Sequence, residues 1–165
     1  MKFLLAILFC ISLLFSCTQQ EKENTQLENK IRQLQTQLDN TYKPGFGEFM
    51  SGIQVHHSKL WFAGTNANWK LADFEMVEIK EALNDIQKYN ADRSESQSIP
   101  MLFGAMDSVN AAIKNQNTEQ FKSSFVLLTN TCNSCHQATN HSFNVIKIPE
   151  TPPFNNQNFK PVNEN

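Results

Sequence analysis

Phe121-Lys-Ser-Ser-Phe125-Val-Leu-Leu128-Thr-Asn-Thr-Cys132-Asn-Ser-Cys135-His136 decides how this chain folds. Phe121, Phe125, Leu128, Cys132 and Cys135 recur at spacings of four, three, four and three, which is one face of an α-helix. Thr118-Glu119 opens that helix, and the two cysteines continue its buried face.

The same period recurs upstream. Tyr42-Lys43-Pro44-Gly45 interrupts the chain, because Pro and Gly together disfavour helix, and a domain starts there. Phe46, Phe49, Met50, Ile53, His57, Leu60 and Trp61 share helical spacing, with Gly64 to Asn68 ending that helix and capping the next. Trp69, Ala72, Met76, Ile79, Leu83 and Ile86 form a second stripe, whose opposite face carries Glu75, Glu78, Lys80, Glu81 and Lys88. Asn90 to Gln97 is expected as a polar loop. Ser98 then caps a third helix with Met101, Leu102, Ala105, Met106, Val109 and Ile113 facing inward. The expected fold is all-α, an up-down-up-down four-helix bundle over residues 44–143 preceded by a short N-terminal helix.

The ends read differently. Residues 1–16 have the form of a lipoprotein signal peptide: Met1-Lys2 is positive, and the apolar run Phe3 to Phe15 is too short to span a membrane. Leu14-Phe15-Ser16-Cys17 resembles a bacterial lipobox, which implies acylation of Cys17 and an exported chain tied by lipid to a cell-envelope membrane. Residues 17–43 are expected as a tether and a short coiled-coil-like helix. Thr18 to Thr25 is polar, and Leu27, Ile31, Leu34 and Leu38 form a seam of barely two heptads, enough for a weak homodimer. A helix lying against the domain is the alternative. Residues 144–165 are a Pro- and Asn-rich tail, expected to be draped or disordered.

Composition narrows the partners. The net charge is −2 and no basic cluster suits nucleic acid, so none is expected. Of the 4 cysteines, Cys10 leaves with the signal and Cys17 carries lipid, so Cys132 and Cys135 need an occupation in a compartment that favours disulfides. Cys132-Asn133-Ser134-Cys135-His136 supplies one, since C-x-x-C-H is the attachment signature of a c-type haem. Two thiols three positions apart add to the two vinyl groups of one porphyrin, and the adjacent imidazole ligates the iron. One covalent haem c is the expected cofactor.

Four helices with C-x-x-C-H near the end of the last resemble the class II cytochromes c, the cytochrome c′-like bundles, over Pro44 to about Phe143. Gly47-Glu-Phe-Met-Ser-Gly-Ile-Gln-Val-His-His-Ser-Lys-Leu-Trp-Phe-Ala-Gly64 and Asn68-Trp-Lys-Leu-Ala72 further resemble a bacterial lipoprotein branch of that shape. The resemblance implies thioether attachment at Cys132 and Cys135, His136 as proximal ligand, and a sixth position on the first bundle helix. In five-coordinate members that position is a non-ligating apolar side chain, and in low-spin members a Met.

In such a bundle the end of the last helix lies level with the start of the first, which makes Met50 the preferred sixth ligand. His57 is the alternative, two turns deeper on the same face, roughly 10 Å along the axis. His57 otherwise hydrogen-bonds a propionate or a buried carbonyl, His56 points to the side, and His141 is a surface residue near the haem edge. Phe46, Phe49, Trp61 and Trp69 are core aromatics that also wall the haem.

The expected function is electron carriage at a membrane surface by Fe(II)/Fe(III) cycling, with redox proteins as partners and no enzymatic bond breaking. A five-coordinate gas-binding or sensing haemoprotein, or a haem subunit of a larger respiratory complex, are the alternatives. Zinc at Cys132, Cys135, His136 and His141 is disfavoured because neighbouring Cys135 and His136 diverge on a helix. A thioredoxin-type pair would need a strand ahead of the motif.

Overall fold

The structure, a computed structural model, describes the backbone of residues 2–162 and the side chains of residues 20–162. The signal-peptide reading and the Cys17 side chain fall outside the described side chains. Two compact units make up the chain, divided between Lys43 and Pro44 where the Pro-Gly interruption was expected.

The first unit is one helix, α1 (Lys2–Asp39). Thr18 to Thr25, expected as a tether, is helical, because Gln, Glu and Lys favour helix and no Gly or Pro interrupts the chain before Pro44. Leu27, Ile31, Leu34 and Leu38 are all exposed along it. Among the described residues no helix is long and apolar enough to cross a membrane.

The second unit is the all-helical bundle. Its helices are α2 (Phe46–Thr65), α3 (Trp69–Tyr89), α4 (Phe103–Lys114) and α5 (Thr118–Ala138), with a 3₁₀ helix (Ser94–Leu102) running into α4. α2 packs on α3 and α5, and α4 packs on the same two, so each helix has two neighbours around one core. Asn68 and Asn117 cap α3 and α5, their side-chain oxygens accepting from the amides of Leu71 (3.3 Å) and Gln120 (3.0 Å).

Three helices end on a left-handed residue that is not glycine: Ala67 (φ 56°), Gln116 (φ 51°) and Asn140 (φ 63°). After α2, the Asn68 amide donates to the Ala63 carbonyl at 2.9 Å and the Ala67 amide to that of Gly64 at 3.1 Å, so the last carbonyls are satisfied as the chain reverses.

Met76, Ile79, Ile86, Val109, Phe121 and Phe125 fill the core among others from all four helices. Gly64 allows the closest approach in it: a Cβ there would lie 2.2–2.5 Å from the Phe121 ring. Trp61 stacks near Phe121 and Phe125, with ring centroids 6.4 Å and 5.0 Å away, and Trp69 meets the Phe121 edge at 6.2 Å.

Three expectations change, and of the two forms expected for the tail the draped one is found. The third stripe starts as a 3₁₀ helix and turns α-helical only at Phe103, because Pro100 lacks an amide and restricts Ile99 before it; Ser98 is therefore not an α-helical N-cap. Met101 is exposed, since the tighter winding turns Ile99 and Leu102 inward instead. Glu75, expected on the outer face of α3, is fully buried. The tail is draped rather than loose: Phe159 is buried with its ring 5.6 Å from Phe62, and the Lys160 carbonyl accepts from Asn68 Nδ2 at 3.3 Å.

Candidate cofactor-binding site

A cavity of about 380 Å³ opens where the first turns of α2 meet the last turns of α5. Antiparallel packing creates that meeting, and the sequence supplies side chains to match. Phe46, Met50, Ile53 and His57 line it from α2, Leu128, Cys132, Cys135 and His136 from α5, and Ile79 and Leu83 from α3. The chain beyond α5 returns across it with His141, Asn144 and Ile146. A mostly apolar cleft of this size with a few convergent polar groups is typical of a cofactor site.

All the haem-ligand candidates named from the sequence therefore share one cavity: Cys132, Cys135, His136, Met50 and His57. Of the four aromatics expected to wall it, Phe46 does; Phe49 packs against the core, Trp61 on Phe121 and Phe125, and Trp69 on Phe121.

Both thiols are unpaired. Burial, with Cys135 beside it, pushes the Cys132 thiol up to about 12, and burial also raises Cys135. Raised thiols inside a helix are the reverse of a dithiol redox pair, which needs a stabilised thiolate. Among the described residues no three His, Cys, Asp or Glu side chains converge as a metal-binding group, so the four-ligand zinc arrangement is not assembled.

His136 has a defined tautomer. Its Nδ1 lies 2.7 Å from the Asn144 carbonyl oxygen, which can only accept, so Nδ1 carries a proton and, in the neutral ring, Nε2 is left with the lone pair. A metal-ligating imidazole commonly donates its second nitrogen to a carbonyl in this way, which fixes the ring and raises the basicity of the other nitrogen.

His57 is committed elsewhere. The Thr129 hydroxyl donates to the Phe125 carbonyl at 2.9 Å, so it accepts from His57 Nε2, also at 2.9 Å. Burial lowers the His57 pKa to about 4, and its ring packs 4.4 Å from Phe125. This histidine is neutral, and its Nε2 partner is a hydroxyl. His141 lines the cavity half-buried, its Nδ1 donating to the Thr139 carbonyl at 2.7 Å.

His56 points away from the cavity toward α3. Its Nδ1 donates to Glu75 Oε2 at 2.7 Å, while Lys59 Nζ approaches Oε1 to 2.6 Å as an ion pair without hydrogen-bond alignment. The Lys59 ion pair and the His56 hydrogen bond explain how Glu75 can be buried at all.

Arg93 and Glu95 also line the cavity. Arg93 pairs with Glu95 and holds its carboxyl down at about 2, and its guanidinium lies 5.3 Å from the Phe46 ring centroid. Neither residue stood out in the sequence, where they read as part of a polar loop. Asn133 and Asn144 were likewise missed, since one is an unspecified position of C-x-x-C-H and the other acts through its backbone.

No family model matches the chain, and neither the curated proteins nor the solved structures contain a match to it.

Proposed function

We propose that this cavity holds one covalently attached haem c and that the protein carries single electrons. The observation that carries the reading is the meeting of Cys132, Cys135 and His136 at one cavity, with the His136 Nδ1 proton on the Asn144 carbonyl. The donor set fits the group: two thiols three positions apart, one imidazole with a free Nε2, a Met thioether on the facing helix, and apolar walls.

Cys132 and Cys135 would hold the group by adding each S–H across a vinyl double bond, sulfur bonding to one carbon and the proton going to the other, with no net oxidation. When bound, the haem supplies one-electron Fe(II)/Fe(III) cycling. His136 Nε2 and the Met50 thioether would hold the iron. His57 is the weaker claimant because it lies two turns deeper on α2 than Met50, with its ring packed against Phe125. Ile53, Ile79, Leu83 and Leu128 exclude water around the group and favour the reduced, less charged iron. The sequence motifs at Met1 to Cys17 support export and a lipid anchor, which would place this carrier at an envelope membrane beside redox proteins, on its own or within a respiratory assembly.

The test is the absorption spectrum of the reduced, haem-loaded chain with and without carbon monoxide. A low-spin spectrum that ignores the gas, turned high-spin by Met50→Ala, is expected. A high-spin wild type that binds carbon monoxide rapidly overturns electron carriage in favour of the five-coordinate gas-binding reading.

A further inference from the structure

α5 does not simply end. Asn140 is left-handed, the His141 amide donates to the His136 carbonyl at 2.7 Å, and the Asn144 amide donates to the His141 carbonyl at 2.9 Å, so the chain turns back along the last turn of the helix. Asn133 receives it. Its Nδ2 donates to the Ile146 carbonyl and its Oδ1 accepts from the Ile146 amide, both at 2.8 Å. Two bonds to the same residue fix the position and the orientation of the strand-like return. Two residues upstream, the Asn144 carbonyl stands 2.7 Å from His136 Nδ1.

Phe143 and Val145 of this return are 81% and 71% exposed, while Ile146 lines the cavity and Ile148 packs against the core. The two bonds to Asn133 fix its register beside that packing, and only a carboxamide at position 133 can donate and accept at once with this reach. We propose that Asn133, between the two cysteines of the haem motif, is a positioning residue for His136: it pins Ile146 so that the Asn144 carbonyl stays on Nδ1 and Nε2 remains the metal donor. The consequence for the iron rests on the haem reading above; the clamp on the tautomer does not. A carbonyl on Nδ1–H enriches the imidazole, which favours Fe(III) and lowers the potential.

Asn133→Ala removes both bonds, and Ile146→Pro removes the amide donor while leaving Asn133 and every helix in place, so a folding defect in the first variant leaves the second to decide. The ring nitrogens of His136 are read by ¹⁵N NMR in the haem-free full chain, and the midpoint potential in the haem-loaded chain. The wild-type ring is expected as the Nδ1–H tautomer, and the variants are expected to move toward Nε2–H. The potential is expected to rise, for Asn133→Ala by up to the ~59 mV that a tenfold shift in a one-electron equilibrium represents. A wild-type ring in the Nε2–H form, or variants with unchanged tautomer and potential, overturn the proposal. If wild type takes up no covalent haem, the haem reading falls while the tautomer comparison still decides the clamp. If haem attaches and neither readout moves, the clamp falls alone.

Discussion

His57 on α2 and Thr129 on α5 are joined by a buried hydrogen bond of 2.9 Å, the imidazole donating from Nε2. The hydroxyl proton is spent on Phe125, so a proton added to this ring at Nδ1 would place a charge on a side chain that is 4% exposed, and burial disfavours the charged form.

Stability therefore depends on pH through His57. Its folded pKa of about 4 lies below the unfolded value of 6.5, so the unfolded chain binds the extra proton first. The contribution is fully present above pH 6.5 and is lost as pH falls from there to 4, by roughly 3 kcal/mol. Urea unfolding across that range checks it: His57→Gln should flatten the slope, and an unchanged slope would contradict the assignment.

The Glu75 cluster predicts an asymmetry. Lys59→Met removes the closest cation from a fully buried carboxylate and should cost about 3 kcal/mol. Adding Glu75→Met in the same chain should recover much of that loss, because the uncompensated charge goes with it. Denaturant midpoints of the two variants give the comparison.

Gly64→Ala is expected to destabilise by about 1–3 kcal/mol, since the new Cβ would meet the Phe121 ring within 2.2–2.5 Å. Phe121→Leu in the Gly64→Ala background should show positive coupling in a double-mutant cycle. Additive losses would mean that the two helices part without strain.

Gln116→Gly should raise stability by about 1 kcal/mol, because φ of 51° costs a side-chain-bearing residue what glycine does not lose. Thermal unfolding measures it. Replacing Asn140 should gain less, as Asn tolerates that region.

Much of the bundle was legible because apolar spacing is local. Met50, His57 and Leu60 on α2, and Phe121 to Cys135 on α5, lie on the faces their period dictates, and Pro44-Gly45 marks the start of the domain. The convergence of Met50 with His136 followed from the antiparallel order alone. Burial of Glu75 was not legible, since it depends on Lys59 and His56 from another helix. Pro100 was visible, yet its effect on winding outweighed the Ser98 cap in a way that composition does not rank. Asn133 gives no signal by itself: its partner is a backbone 13 residues away in a tail that carries no apolar pattern.

Intact mass with a pyridine haemochrome spectrum, on chain exported with haem-attachment machinery, tests the central claim most directly. One haem bound through two thioethers in wild type, reduced to one in Cys132→Ala or Cys135→Ala, is the predicted result. A chain that leaves that machinery with both thiols free and no haem would contradict it.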